Sequence, residues 1–288
     1  MKIAIVIASV LAGLVVIGAA GAVYWVAGNV RVDETVRAVN ANIATMNAEG
    51  GKLESLAKNG PGFPDLGAAQ STADFLKLAQ QYDTSIQTYD GDLNQADDVV
   101  ADAKRLLADS QSKVDSAASD WLTIPHRSRL DRERKSLGYE QQAFADAQEI
   151  VNVARKQLQG YKAVVQGLSD YVQLADALDA NHLQDALNDY SSTHAQLENA
   201  RELAQGAHMP SAWDPLLADL NKLADDTRDA IHDLQKGDYS AANAKANAVD
   251  ADGKALTSLD TSSFDKDAYL TDLEAVVKSL EEKSNSVK

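Results

Sequence analysis

His126, His182, His194, His208 and His232 are the side chains in this sequence best suited to proton transfer or metal ligation. Their spacing assembles neither. A helical zinc site needs two histidines four residues apart, so that both imidazoles leave one face, and no two of the five stand at that interval. His194 falls instead on a heptad stripe with Tyr190 and Leu197, where a satisfied, partly buried imidazole is expected. Asp250-Ala251-Asp252-Gly253 has the opening of a calcium-binding loop, but Ala248 and Leu259 stand where oxygen ligands are needed. The chain has no cysteine, which excludes disulfides, thiolate metal sites and cysteine nucleophiles and says nothing of the redox compartment. It also has neither a glycine-rich phosphate loop nor a Gly-x-Ser-x-Gly elbow. Asp97-Asp98 and Asp225-Asp226 read as solvated acidic pairs on helices, and Tyr82 and Tyr89 as core packing. No catalytic residue, cofactor or metal ligand is expected, and the reading is of a protein that is not an enzyme.

One local composition stands out. Trp121, Leu122, Ile124 and Pro125 are followed by Arg127, Arg129, Arg132, Arg134 and Lys135, against only Asp131 and Glu133. The chain as a whole carries a net charge of −16, which repels nucleic acid. An apolar turn beside a basic cluster on such a background is suited to docking an acidic partner or lipid headgroups. Trp121, Ile124, Arg127, Arg129, Arg132 and Arg134 are therefore the candidate docking residues. The simpler alternative is that Trp121 closes the end of a coil and the arginines form a solvated first turn.

Long helices must position that cluster. Leu130, Leu137, Phe144, Val151, Leu158, Val165 and Val172 recur every seven residues, and Ala147, Ala154, Tyr161, Leu168 and Ala175 follow the last five at an interval of three. This spacing keeps one seam of a helix against a partner. A matching seam runs from Ala79 through Tyr82, Ile86, Tyr89, Leu93, Ala96, Val100, Ala103, Leu107, Ser110, Val114 and Ala117 to Trp121. Two seams joined by the break Thr123-Ile124-Pro125-His126 predict an antiparallel coiled-coil hairpin over 68–180 with its tip near 122–129. Asp83, Asp90 and Asp97 on one flank should face the row carrying Arg155 and Lys162 on the other. The opposite flank is apolar and wants cover from further helices. It is sparser near the tip, where the hairpin is expected to project as two helices alone.

Before the hairpin, Val32, Val36, Val39, Ile43, Met46 and Leu53 predict a helical stalk over 30–59, weakened at Gly50-Gly51 and ended by Asn59-Gly60-Pro61-Gly62-Phe63-Pro64. After it, a helical bundle is expected over 181–284, with helices near 183–206, 214–236, 239–259 and 265–283. Leu216, Leu220, Leu223, Thr227, Ile231 and Leu234 form one stripe, and Asp238 and Ser262 or Ser263 are expected N-caps.

Residues 1–29 complete the picture. Residues 3–28 carry no charge, are long enough to cross a bilayer, and end near Tyr24-Trp25, an aromatic pair suited to the interface. Ala20-Gly21-Ala22 also fits a signal-cleavage pattern, but the apolar run continues beyond it. The expected fold is thus all-α: an N-terminal transmembrane helix, a stalk, a long antiparallel hairpin and a bundle, with the arm held away from its lipid-embedded root. The expected role is a scaffold, spacer or binding subunit of a cell-envelope assembly, anchored in the cell membrane with its large domain outside the cytoplasm. Its partners would be the membrane through 3–28 and a protein of that assembly, with a homo-oligomer also open. The alternatives are an extracytoplasmic sensory or ligand-binding bundle and a cytoplasmic, membrane-tethered, spectrin-like cytoskeletal factor.

Overall fold

A computed structural model of the chain describes residues 26–179, 182–206 and 213–256, together with 271, 274, 275 and 278. The described residues are helical apart from short connections, and the protein is all-α. The long elements are α1 (Val26–Asn59), α2 (Thr72–Ser119), α3 (Arg127–Asp179), α4 (Leu183–Gly206), α5 (Trp213–Lys236) and α6 (Tyr239–Leu256). The expected bounds of these helices agree with the described ones to within a few residues, and local chemistry accounts for the start of α2 and for the α5–α6 junction. Ser71 caps α2: its hydroxyl accepts from the Asp74 amide at 3.2 Å and donates to the Asp74 carboxylate at 2.8 Å. Gly237 closes α5 at φ 78°, a conformation glycine adopts without a Cβ clash. The Asp238 amide reaches back to the Asp233 carbonyl at 2.9 Å, and the Asp238 carboxylate then caps α6 through the Ala241 amide at 3.0 Å.

The chain divides into two compact units whose boundary cuts across α2 and α3. Among the described residues the first comprises 26–60, 91–152 and 274, 275 and 278. Its core joins three helices: Val32, Val36 and Val39 of α1, Val114 and Ala117 of α2, and Leu130 and Leu137 of α3. Further along, Met46, Ala103, Leu107 and Phe144 continue the same arrangement. The stalk therefore does not stand apart, and the helices on either side of the 121–126 turn do not project as a bare pair. The four-three stripe on α1 is a core stripe, and α2 and α3 supply its partners. Gly50 and Gly51 do not interrupt α1. Between α2 and α3, Gln148 donates to Asp97 at 2.6 Å and Arg134 meets Asp115 at 2.6 Å, so the two helices run in opposite directions here.

Among the described residues the second unit comprises 61–90, 153–179, 182–206, 213–256 and 271. Tyr82, Ile86 and Tyr89 of α2 and Leu158, Tyr161, Val164 and Val165 of α3 are buried. Phe63, from the connection after α1, stacks on Tyr82 at 4.1 Å and on Tyr161 at 5.6 Å. The expected charge rows meet, with Asp90 and Arg155 at 3.5 Å and Asp83 and Lys162 at 3.9 Å. Both pairs are solvent-exposed enough that they set register more than they add stability. Leu174, Tyr190 and Ala224 bring α3, α4 and α5 together. On α5, Leu220, Leu223, Thr227 and Ile231 of the expected stripe are buried, with Leu217 beside them, whereas Leu234 is exposed; the Leu216 side chain lies outside the described residues.

Among the described residues no helix is long and apolar enough to cross a membrane. Residues 3–25 of the expected span, and nearly all of the helix expected near 265–283, lie outside the described residues.

Candidate interaction site around the Trp121–His126 turn

The turn linking α2 to α3 is a short 3-10 stretch, Trp121–His126. Its shape follows from Thr123, which is fully buried. The Thr123 hydroxyl points at the carbonyls of Ala117, at 2.6 Å, and Asp120, at 2.7 Å, which also accept from the Asp120 and Thr123 amides at 3.2 and 3.1 Å. Pro125 has no amide proton to continue the turn, and α3 begins at Arg127. Leu130, in the first turn of α3, is fully buried against Val114 and Ala117 and fixes the angle at which α3 departs.

α1 lies against this turn. The Arg31 guanidinium meets the Asp120 carboxylate at 2.9 Å, and Arg129 donates to Asp33 at 2.6 Å. The turn was expected at the end of an arm remote from the N-terminal segment. It instead packs beside the first turns of α1, because the valine stripe there is buried only by staying level with Val114, Ala117 and Leu130.

The candidate docking residues therefore separate into two kinds. Arg129 and Arg134 are tied to other helices: Arg129 holds α1, while Arg134 bonds Asp115 on α2 through two nitrogens, at 2.6 and 3.1 Å, and also meets Asp131 of its own helix at 3.3 Å. Ile124, Arg127 and Arg132 face outwards. Ile124 is 56% exposed. Arg127 is exposed, and the Arg132 guanidinium makes only a long contact of 3.4 Å to its own helix, at the Ser128 carbonyl. Neither makes an ion pair among the described residues. For Trp121 only the backbone is described. Lys135 lies over the Tyr139 ring at 5.8 Å. Glu133 sits half-buried in this cluster, and desolvation lifts its carboxyl above the ordinary range although Arg129 and Arg132 pull the other way. No acidic residue occupies the first turn of α3, so basic residues there oppose the helix dipole. Helix stability does not account for them.

A second polar cluster was missed at the level of sequence. The Tyr190 hydroxyl of α4 donates to Asp225 of α5 at 2.7 Å and accepts from Arg228 at 2.9 Å, with the Arg228 guanidinium 5.1 Å from the Tyr190 ring centre. Burial and the neighbouring Asp225 carboxylate raise the Tyr190 phenol above its usual range. His194 Nδ1 lies 3.9 Å from Asp225. Asp226 accepts from Lys245 of α6 at 2.6 Å, which keeps its carboxyl below the ordinary range. The Asp225-Asp226 pair thus ties helices together, with Asp226 largely covered and Asp225 still 44% exposed. The i, i+3, i+4 spacing of Asp225, Arg228 and Asp229 was the available signal. Asp250 to Gly253 are helical, within α6. Among the described residues no group of three histidines or carboxylates is arranged to hold a metal ion.

No protein family, curated protein or solved structure matches this chain.

Proposed function

We propose that the chain is a non-enzymatic, membrane-anchored, extracytoplasmic helical protein acting as scaffold, spacer or binding subunit of a cell-envelope assembly. In this reading residues 3–28 form the transmembrane helix, α2 and α3 form a long antiparallel coiled-coil hairpin, and the C-terminal helices bundle against it. The observation that carries it is continuity. The chain has no charged residue from Ile3 to Val30, and Val26 to Val30 are already helical, so the end of the apolar run is part of a helix that enters a packed core. A helix leaving the bilayer and entering a three-helix unit without a flexible break passes position and orientation on to whatever that unit binds. The polar side chains support the same reading, because Arg129, Arg134, Asn42 and Lys245 are all engaged in helix-to-helix ties. Alkaline extraction of membranes and protease treatment of intact cells test it. Retention in the pellet with digestion from outside is the expected result; release by alkali, or protection of the domain until the cells are lysed, would defeat it.

The Tyr190–Asp225–Arg228 network favours a second reading, a sensory bundle whose ligand engages polar groups between α4 and α5. A rise in melting temperature with a small anionic or phenolic ligand, abolished by Tyr190→Phe, would favour that reading over the scaffold.

A further inference from the structure

The end of the first unit that carries the Trp121–His126 turn is also the end at which the uncharged N-terminal run enters. Arg31, the first charged residue after that run, is bonded to Asp120, the residue just before the turn. Val26 to Arg31 span five helical rises, about 8 Å. Two of the large apolar side chains exposed on the described surface, Val30 and Ile124, stand at this end. Arg127 and Arg132, exposed and without ion-pair partners among the described residues, stand there too.

We infer that Ile124, Arg127 and Arg132 form a lipid-facing foot that rests on the anionic headgroups of the bilayer in which residues 3–28 are embedded. The inference rests on the proposed membrane anchor and names the partner of the candidate docking turn. Three observations favour lipid over an acidic protein. The apolar run brings the bilayer to within a few helical turns of the foot whatever else the protein binds. An exposed isoleucine followed closely by exposed arginines suits an interface where the aliphatic group enters the headgroup layer and the guanidinium groups meet phosphates. Net charge elsewhere is strongly negative, so an anionic surface repels the rest of the chain and selects this end. Arg129 and Arg134 hold the foot in shape from behind, through Asp33 and Asp115. A foot beside the anchor gives a single membrane helix a second point of support, which restricts the tilt that one span alone would allow.

The absence of cysteine makes the test direct. Full-length Ile124→Cys and Ala101→Cys variants, each labelled with an environment-sensitive fluorophore, are reconstituted in phosphatidylcholine vesicles with and without phosphatidylglycerol, carrying a headgroup spin-labelled lipid. Ala101 is exposed on α2, about 27 Å along the helix from its end at Ser119. Quenching at position 124 should be severalfold stronger than at 101 and stronger still with phosphatidylglycerol. Adding Arg127→Glu and Arg132→Glu to the Ile124→Cys chain should bring its quenching down to the level of position 101 while leaving the melting temperature and alkali resistance unchanged. Each arginine near an anionic surface is worth about fivefold in partitioning. Equal quenching at 124 and 101 in an alkali-resistant chain would overturn the inference and leave the anchor standing. Quenching indifferent to phosphatidylglycerol and to the arginine reversals would also overturn it. Release of the chain by alkali would remove the anchor, and the foot with it.

Discussion

Arg129 of α3 donates to the Asp33 carboxylate of α1 at 2.6 Å, closing a contact between residues 96 apart in sequence. Each side chain is about one-third exposed, so solvent screens the pair and its coupling should be modest. Arg129→Glu is expected to destabilise the first unit by about 1 kcal/mol, and Asp33→Arg added to it to restore most of that loss. Urea denaturation of the two single variants and the double variant measures the coupling. A double variant no more stable than Arg129→Glu alone would mean that the pair does not tie the helices.

Glu140 should make stability fall as pH rises through neutrality. It is 1% exposed, neither carboxylate oxygen has a hydrogen-bond partner, and burial raises its pKa to about 7. The folded value lies above the unfolded one, so the folded state holds its proton more tightly. The associated stability is complete below about pH 4.5 and is lost as the pH passes through 7, a difference on the order of 3 kcal/mol. Glu140→Gln should flatten this dependence and raise stability at pH 8 by on the order of 2 kcal/mol. Chemical denaturation at pH 5 and pH 8 checks it; an unchanged slope in the variant would assign the effect to another group.

Glu140 also shows how far the fold could be read from sequence. Of the seven-residue ladder from Leu130 to Val172, Leu130, Leu137, Phe144, Val151, Leu158 and Val165 are buried and Val172 is half-buried. The second row begins only at Ala147 because its two earlier places hold Glu133 and Glu140. A hydrophobic pattern registers those places as gaps. The structure fills them with desolvated carboxyls, since the neighbouring rungs are fixed by α1 and α2 whatever residue stands between them. For the same reason the docking residues were read as one cluster. Periodicity does not show that Arg129 and Arg134 bond carboxylates on other helices while Arg127 and Arg132 do not.

Glycine substitutions should divide by what surrounds them. A Cβ at Gly167 would lie 2.8 Å from Leu197 Cδ2 and 3.5 Å from its backbone nitrogen, and Leu197 is fully buried with little room to yield. Gly167→Ala is expected to be destabilising by about 1 kcal/mol net, overpacking outweighing the gain in helix propensity. Gly138 faces open space, and Gly138→Ala should be stabilising by about 0.5–1 kcal/mol. Thermal melts followed by circular dichroism distinguish the two, and stabilisation at position 167 would contradict the close approach of α3 and α4.

Phe63 should matter well beyond its place in a connecting loop. Its ring lies between Tyr82 of α2 and Tyr161 of α3, both fully buried. Phe63→Ala is expected to cost about 2–3 kcal/mol and Phe63→Leu less, with a weakened tyrosine signal in near-ultraviolet circular dichroism. An unaltered signal in Phe63→Ala would show that the two tyrosines do not depend on the stack.

Neither unit is one continuous stretch of chain, because α2 and α3 each contribute to both. Almost any truncation through the middle of the gene therefore leaves two incomplete cores and yields no domain. A fragment that loses an interaction in a deletion series will have lost the surface along with the residues, and a fragment that gains one will be displaying interior valines and leucines. Binding regions on this protein are mapped by point substitutions in the intact polypeptide.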